Sequence, residues 1–360
     1  MKKIFSIAAI LLSFQANAQD SARENKPSLF VISGYAEIYY AYDFNKPVNN
    51  TRPSFIYSHN RVNEVNLNLG FLKGAYSTDW VRANFSLAAG TYMIANYAEE
   101  PEGLRNIYEA NIGIKISRKN NLWIDAGIMP SHVGWEGAES KDDWTLTRSI
   151  GAENSPYFES GIKIGYTSKN EKWYLSALIL NGWQRIHRVN GNTTPAFGAQ
   201  ITYKPSTKLT INSSTFIGND EPDSLKQMRY FHDFYSIIQV TDQFGITAGF
   251  DIGWQKLVYS NKLNNWFTPT IILRYTPDSK WAIAARREYY NDQHEVIVHT
   301  VNNIGAEIYG ASLNIDRLIH DNVLWRIEAR TLNSKDAIFQ KGVELVKNDI
   351  SITTSIAISF

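Results

Sequence analysis

Three short groupings in this 360-residue chain carry residue types that could do chemistry. Asp292-Gln293-His294-Glu295 sets a carboxylate two positions before a histidine, and an acid so placed can orient an imidazole as a general base near neutral pH. Ser58-His59 puts a hydroxyl beside a base, but neighbours along an extended chain point to opposite faces, and nucleophile and base must share one. His132 and Glu136 could ligate a divalent ion, although one histidine in an acidic segment is a thin ligand set. No Gly-x-Ser-x-Gly, His-Glu-x-x-His, P-loop or EF-hand pattern occurs. Zero cysteines exclude disulfides, thiolate zinc sites, iron–sulfur clusters and a cysteine nucleophile. No cofactor or resident metal is expected. With 36 Lys plus Arg against 35 Asp plus Glu, the chain lacks the basic footprint of a nucleic-acid binder.

Some of the remaining charge recurs at every second position, as in Arg326, Glu328 and Arg330, and the elements that carry it explain why. Ile350, Ile352, Thr354, Ile356, Ile358 and Phe360 alternate with Ser351, Thr353, Ser355, Ala357 and Ser359. Val65, Leu67, Leu69 and Phe71 alternate with Glu64, Asn66, Asn68 and Gly70 in the same way, and similar runs follow at 81–90 and 109–117. Period two gives a strand with one apolar and one polar face. Aromatics at 13% of the chain agree with a strand-rich fold.

Alternation does not choose between a soluble sandwich and a barrel in lipid, but the connections do. Long segments at 44–60, 94–106, 130–156, 183–195, 219–228, 290–303 and 333–348 alternate with tight ones at 74–78, 118–120, 168–171, 205–207, 241–243 and 277–279. Every strand then pairs with its neighbour in sequence, and the long loops collect at one end. That asymmetry belongs to outer-membrane barrels, with short periplasmic turns and long external loops. The expected fold is an all-β transmembrane antiparallel up-and-down barrel of about sixteen strands over 29–360, fourteen being the nearest alternative. The phases of the strands near 172–182 and 229–240 stay ambiguous. A mean hydropathy of −0.30 fits, because a polar lumen and loops offset the apolar exterior.

Lys2 and Lys3, the apolar run Ile4–Phe14 and Ala16-Asn17-Ala18 read as a signal peptide over 1–18. Its removal takes two lysines and moves the formal charge from +1 to −1. Residues 19–28 form a short polar leader. Aromatics at strand ends, Tyr39, Tyr40, Tyr42, Trp80, Tyr92, Tyr157, Phe158, Trp173, Tyr174, Trp254, Trp266, Phe267, Trp281, Tyr289 and Tyr290, fit the water–lipid boundaries. Strand-phase glycines such as Gly113, Gly127, Gly161, Gly165, Gly249 and Gly253 fall mostly on the lumen side, where curvature and crowding favour a bare Cα.

Strand phase assigns Glu37, Glu64, Arg82, Glu109, Lys115, Asp125, Glu159, Lys163, Asp251, Arg274, Arg286, Glu288, Glu307, Arg326, Glu328 and Arg330 to the lumen. A basic side chain facing lipid at the midplane would cost about 2–4 kcal/mol. Opposed charges of this kind can set a transverse field on solutes, and their near balance predicts weak ion selectivity. Segment 130–156, the longest connection, holds His132, Glu136, Glu139, Asp142, Asp143, Arg148 and Glu153 as constriction or loop-anchoring candidates. Folded inward it would narrow the channel; as an ordinary external loop it would not.

Gly127-Ile128-Met129-Pro130-Ser131-His132-Val133-Gly134, Thr147-Arg148-Ser149, Asn154-Ser155-Pro156-Tyr157-Phe158-Glu159-Ser160-Gly161 and Leu180-Asn181-Gly182-Trp183-Gln184 resemble the OmpL-like β-barrel porin family (porin-2) of Bacteroidota. The match is strongest over about 120–185, and the strand–loop architecture extends it along the mature chain. The resemblance implies an outer-membrane pore for passive diffusion of small hydrophilic solutes, without catalytic residues or a defined substrate. The partners expected are the lipid bilayer, the solutes, and the barrel-assembly machinery, which would read the strand ending in Phe360. A homotrimer is expected by analogy with other sixteen-strand porins. Two other readings stay open: a barrel enzyme with a rim site, and a loop-closed barrel serving as adhesin or scaffold. Omptin-type proteases carry an Asp-x-His pair but have ten strands, and a TonB-dependent transporter would need a plug domain larger than 20–28.

Overall fold

Alternating polarity becomes a closed antiparallel barrel in a computed structural model that describes residues 29–257 and 262–360. The signal peptide and leader expected over 1–28 lie outside the described residues. In chain order the strands are β1 (Phe30–Asp43), β2 (Val65–Ser77), β3 (Val81–Ala89), β4 (Ile107–Lys115), β5 (Asn121–Pro130), β6 (Phe158–Thr167), β7 (Trp173–Leu180), β8 (Ala196–Ser206) and β9 (Leu209–Asn219). They continue with β10 (Met228–Gln239), β11 (Phe244–Lys256), β12 (Leu263–Tyr275), β13 (Trp281–Asp292), β14 (Ala306–His320) and β15 (Val323–Ser334). A hairpin of β16 (Phe339–Lys341) and β17 (Glu344–Val346) precedes β18 (Asn348–Ser359). The sixteen strands β1–β15 and β18 form the wall, each paired with its neighbour in sequence. β18 closes on β1, in register from Tyr35↔Ser359 to Asp43↔Ser351. Closure satisfies every ladder without an edge, as lipid requires.

Connections of two to five residues join strands at one end, as at 78–80, 116–120, 207–208, 276–280 and 321–322. The opposite end carries 44–64, 90–106, 131–157, 181–195, 293–305 and 335–347, including the helices α1 (Thr91–Asn96) and α2 (Ile150–Glu153). The outer face is apolar and exposed at Leu87, Ile112, Ile162, Ile201, Ile271, Leu313 and Ile356. Aromatic rings rim it at both ends, but Tyr39, Tyr92, Phe158, Trp266 and Tyr290, expected at the same boundaries, turn inward and are buried, because at the loop end the interior is packed with apolar loop residues. Phe250, Phe267, Tyr289 and Tyr309 follow one another across four strands at the loop end, while Trp173 stacks on Tyr203 at the turn end. The two ambiguous phases resolve with Ser176 and Leu178 inward on β7, and Asp233 and Tyr235 inward on β10.

Two expectations are corrected. β2 starts and ends four residues later than the sequence pattern indicates, and its register against β1 shifts between Glu37 and Ile38. A bulge turns two successive residues, Asn68 and Leu69, to the interior and inverts the phase beyond them. Leu69 and Phe71, read as lipid-facing, therefore pack inward beside Tyr35, and Gly70 leaves the lumen. Glu307 is the second. On β14 the inward positions are even-numbered, Ala306 and Ile308 are fully buried, and Glu307 points outward to Lys335 at 3.4 Å. At that height the inner face meets folded loops rather than water, so the usual polarity reverses.

The interior of the loop-end half holds apolar cores. Phe55 and Ile56 from the first loop, Val133 and Ile150 from the third, and Val296, Val298 and Phe339 from later loops pack on inward Leu178, Phe216, Phe231, Trp266 and Tyr290. A second cluster gathers Tyr92, Met93 and Tyr97 of the α1 loop against Tyr35, Leu69 and Phe158.

Candidate functional site: the lumen and its infolded third loop

The segment 131–157 between β5 and β6 folds into the barrel and meets the wall on many sides. His132 lies first along it. Its Nδ1 faces the Glu159 carboxylate at 2.7 Å and its Nε2 faces the Thr215 carbonyl at 2.8 Å. Both partners are acceptors, so both nitrogens donate and the ring is an imidazolium. Burial pulls its pKa down, but the Glu159 carboxylate and the two hydrogen bonds outweigh that and hold it above the usual histidine range.

Three rings of this loop sit on bare Cα positions of the wall. His132 covers Gly198, Trp135 covers Gly249 and Trp144 covers Gly245, where a Cβ would collide with each ring. Part of the lumen-phase glycine pattern is thereby explained: these glycines are seats for loop side chains.

Beyond Trp144 the loop lies on β13–β15. Leu146 N donates to Asn314 Oδ1 at 3.1 Å, Thr147 N to Glu328 Oε2 at 2.5 Å, and Ile150 N to Glu288 Oε2 at 2.6 Å. Arg286 donates to Thr145 Oγ1 at 2.8 Å, to Thr147 Oγ1 at 3.1 Å and to the Thr147 carbonyl. Arg326 donates to the Ser140 and Asp143 carbonyls, and Ser140 Oγ to Glu37. Wall ion pairs complete the socket: Arg286–Glu328 at 3.0 Å, Arg330–Glu288 at 2.7 Å and Arg326–Asp316 at 2.7 Å.

The loop is also tied to itself and to its neighbours. Glu136 accepts from the Ser149 backbone and hydroxyl, and Ser149 caps α2 by accepting from Ala152 N. Asp143 accepts from Gly137 N at 2.8 Å. Glu153 accepts from Tyr57 N and Ser58 N of the first loop. Arg148 donates to Ser58 Oγ and lies 3.6 Å from the centre of the Tyr157 ring.

The chemistry-bearing groupings are engaged in these structural contacts. Asp292 accepts from the Val296, Ile297 and Val298 amides, so its carboxylate closes a loop rather than orienting His294, which is exposed. His59 faces Glu37 at 3.2 Å while Ser58 turns to Glu153 and Arg148. His132 and Glu136 have separate partners and share no ion site.

Charges that reach water lie mainly on the β2–β6 wall and on the tip of the loop. Lys73 pairs with Glu109 at 2.5 Å, and Arg82 forms a two-pronged bond with Asp125 at 2.7 and 2.6 Å. Lys115 and Lys163 are half-buried. Arg274 is half-buried near Trp144 and Asp316. Glu139, Lys141 and Asp142 stand at the loop tip, Lys141 bridging the other two at 3.5 and 2.9 Å. Glu64 sits at the mouth, paired with Arg61 at 2.6 Å. The water-facing Lys73 and the buried loop-end core were not read from the sequence; the bulge hid the first, and the inward apolar residues near the loop ends of β7, β9, β10, β12 and β13 were the signal for the second.

Two cavities line the returning limb of the loop, and a third adjoins one of them at the mouth. The mouth cavity, of about 380 Å³, lies between Arg52, Tyr57, Phe339 and His299. The next, about 270 Å³, shares Tyr57 and His299 and reaches Glu153–Ser155. The last, about 250 Å³, begins at Pro156 and Tyr157 and is lined by Tyr108, Trp135, Glu136, Glu139 and Asp142.

Comparison with known proteins agrees with this geometry. The family model described as "Putative beta-barrel porin-2, OmpL-like" matches residues 30–360. No curated protein matches the chain. Among solved structures, an anion-selective porin from Comamonas acidovorans superposes with a TM-score of 0.63 at 9% identity, covering 92% of this chain and 99% of that one. The outer membrane channel DcaP of Acinetobacter baumannii gives 0.61 at 10% identity, with 92% and 97% covered. OmpF of Salmonella typhi, solved with daunomycin, gives 0.57 at 10%, again with 92% and 97% covered. At such identities the structures attest the fold, while the family model spans nearly every described residue. The chain belongs to the OmpL-like porin-2 family and is an outer-membrane β-barrel porin.

Proposed function

We propose that small hydrophilic solutes diffuse through a path bounded on one side by the docked third loop and on the other by the β2–β6 wall. The observation that carries this reading is the division of charge. Arg286, Glu288, Arg326, Glu328 and Arg330 are buried under the loop and paired, while Lys73, Arg82, Lys115 and Lys163 reach water across from Glu139 and Asp142. The mouth cavity and the two along the returning limb would form the outer part of the route. His132, Glu136, Asp143, Arg148 and Glu153 act as anchors that hold the loop in place; Glu139 and Asp142 are the loop's contribution to the constriction. Weak selectivity follows, because several water-facing bases are already paired with Glu109, Asp125 or the loop tip.

The same reading includes export under a leader cleaved after Ala18, recognition of the strand ending in Phe360 by the assembly machinery, assembly as a trimer, and no enzymatic role. Conductance of the purified barrel in planar bilayers is the test. Reproducible open steps, enlarged by deletion of 136–150, support the proposal. Equal steps with and without the loop would remove its constricting role, and a silent barrel would favour a loop-closed scaffold.

A further inference from the structure

Two carboxylates under the third loop have no basic partner. Asp233 on β10 and Asp251 on β11 are direct register partners, both inward, 0% and 6% exposed. Side chains opposite each other on paired strands have Cβ atoms about 4.5–5.5 Å apart, so the two acids face one another at close range. Asp233 takes hydrogen bonds from Asn212 Nδ2 at 3.1 Å through Oδ2 and from the Gly134 amide, and the two carboxyl groups stand within hydrogen-bonding reach of each other, while Oδ1 of each finds no donor. The bases nearest the loop are engaged elsewhere: His132 with Glu159, and Arg286 with Glu136, Glu288 and Glu328. Among the described residues no ion pair reaches either acid.

A third oxygen belongs to the same row. Thr268 on β12 is the register partner of Asp251, is 3% exposed, and its hydroxyl has no partner. The bare Cα of Gly151 in the loop lies over this pair: a Cβ there would stand 3.2 Å from Thr268 Oγ1 and 3.5 Å from Asp251 Oδ2. Two buried carboxylates in register, with a free hydroxyl beside them, are unfavourable unless a positive species sits between them. All the donors are oxygens, which suit a hard cation, and calcium tolerates the irregular geometry of a mixed carboxylate and hydroxyl set better than magnesium does.

We propose that Asp233, Asp251 and Thr268 form a calcium site that pins the third loop to the β10–β12 wall. The ion neutralises the pair, Gly151 leaves room for it, and waters held under the loop complete the roughly six to eight oxygens that calcium takes. Its role is structural: it complements the arginine socket on β13–β15 from the other side of the loop.

The test uses the full mature barrel refolded in lipopolysaccharide-free detergent, stripped with EDTA and titrated with calcium chloride or magnesium chloride. The expected result is one calcium bound per chain by equilibrium dialysis and a calcium-dependent rise in melting temperature. D233N and D251N should keep the β-sheet circular dichroism and lose most of that rise, because an amide removes the repulsion together with one of the two negative charges that hold the ion. T268V should weaken calcium by about tenfold or more. Wild-type melting indifferent to EDTA and calcium would overturn the site and leave a shared proton as the neutralising species. An undiminished calcium response in D251N would overturn it as well, and magnesium acting at equal concentration would overturn the choice of ion.

Discussion

Replacing Arg286 by alanine tests whether the third loop is held by the β13–β15 socket. The guanidinium has 0% side-chain exposure and lies 3.0 Å from Glu328, 3.4 Å from Glu288 and 3.6 Å from Glu136, besides its three bonds to Thr145 and Thr147. Arg330 still neutralises Glu288 at 2.7 Å, but Glu328 and Glu136 lose their close cation. Breaking a buried pair from one side costs about 3–5 kcal/mol. That corresponds to a shift of the loop from docked to released of roughly 10²-fold to a few thousandfold. No part of this loss falls on the strand ladders, since the side chain points inward and the backbone pairing of β13 with β12 and β14 is unchanged. R286A should therefore give larger, noisier single-channel steps from a barrel whose circular dichroism and heat-modifiable gel mobility match the wild type. The double variant R286M/E328Q separates charge from space. Its glutamine still accepts from Thr147 N, its methionine fills much of the vacated volume, and the pair's two charges go together, which in buried pairs is close to neutral. Steps between those of R286A and the wild type are expected there, because Glu136 and the Thr147 carbonyl still lack the partner that Arg286 supplied. Wild-type steps in R286A itself, from an intact barrel, would refute the docking argument.

Three further outcomes are expected. G249V should release the loop without touching a charge, because its side chain would occupy the space of the Trp135 ring; larger conductance steps check it, and unchanged steps would show the seat to be dispensable. The raised pKa of His132 means its anchoring is complete below the ordinary histidine range and is lost as pH rises through the raised value, so conductance should climb on the alkaline side. H132Q should remove that dependence, and a wild-type conductance flat across neutral and alkaline pH would contradict it. K115E/K163E should move the reversal potential in a salt gradient toward cation preference, as both lysines reach water on the β2–β6 wall; no movement would place the ion path elsewhere.

What was legible in the sequence was what lipid imposes residue by residue. A strand crossing hydrocarbon must alternate, so β18 could be read almost to the residue from Ile350 to Phe360. Features set by depth or distant contact were not legible. The bulge at Asn68-Leu69 leaves no compositional mark, yet it inverts the rest of β2 and delivers Lys73 to the lumen beside Glu109. Glu307 was misplaced because parity says nothing about height, and above the bilayer an outward charge meets water. The wall charges of β13–β15 were placed on the correct face, but their service to the loop was hidden. The bond from Thr147 N to Glu328 spans 181 residues, and no local pattern encodes it.

The alternation of sign on that wall has its own cause. The docked loop is mostly irregular, so its backbone has amides and carbonyls that no helix or ladder satisfies, and burial obliges each to find a partner. An apolar wall could supply none, and a wall of one sign would serve only donors or only acceptors. Glu328, Glu288 and Asn314 take the amides of Thr147, Ile150 and Leu146, while Arg286 and Arg326 give to the carbonyls of Thr147, Ser140 and Asp143. An Arg–Glu–Arg row on β15 beside Arg–Glu on β13 thus matches the donor and acceptor order of the chain lying on it. On this argument the alternating signs of the β13–β15 wall reflect the saturation of one irregular backbone, and the field a solute meets is set by the separate group of charges on the opposite wall.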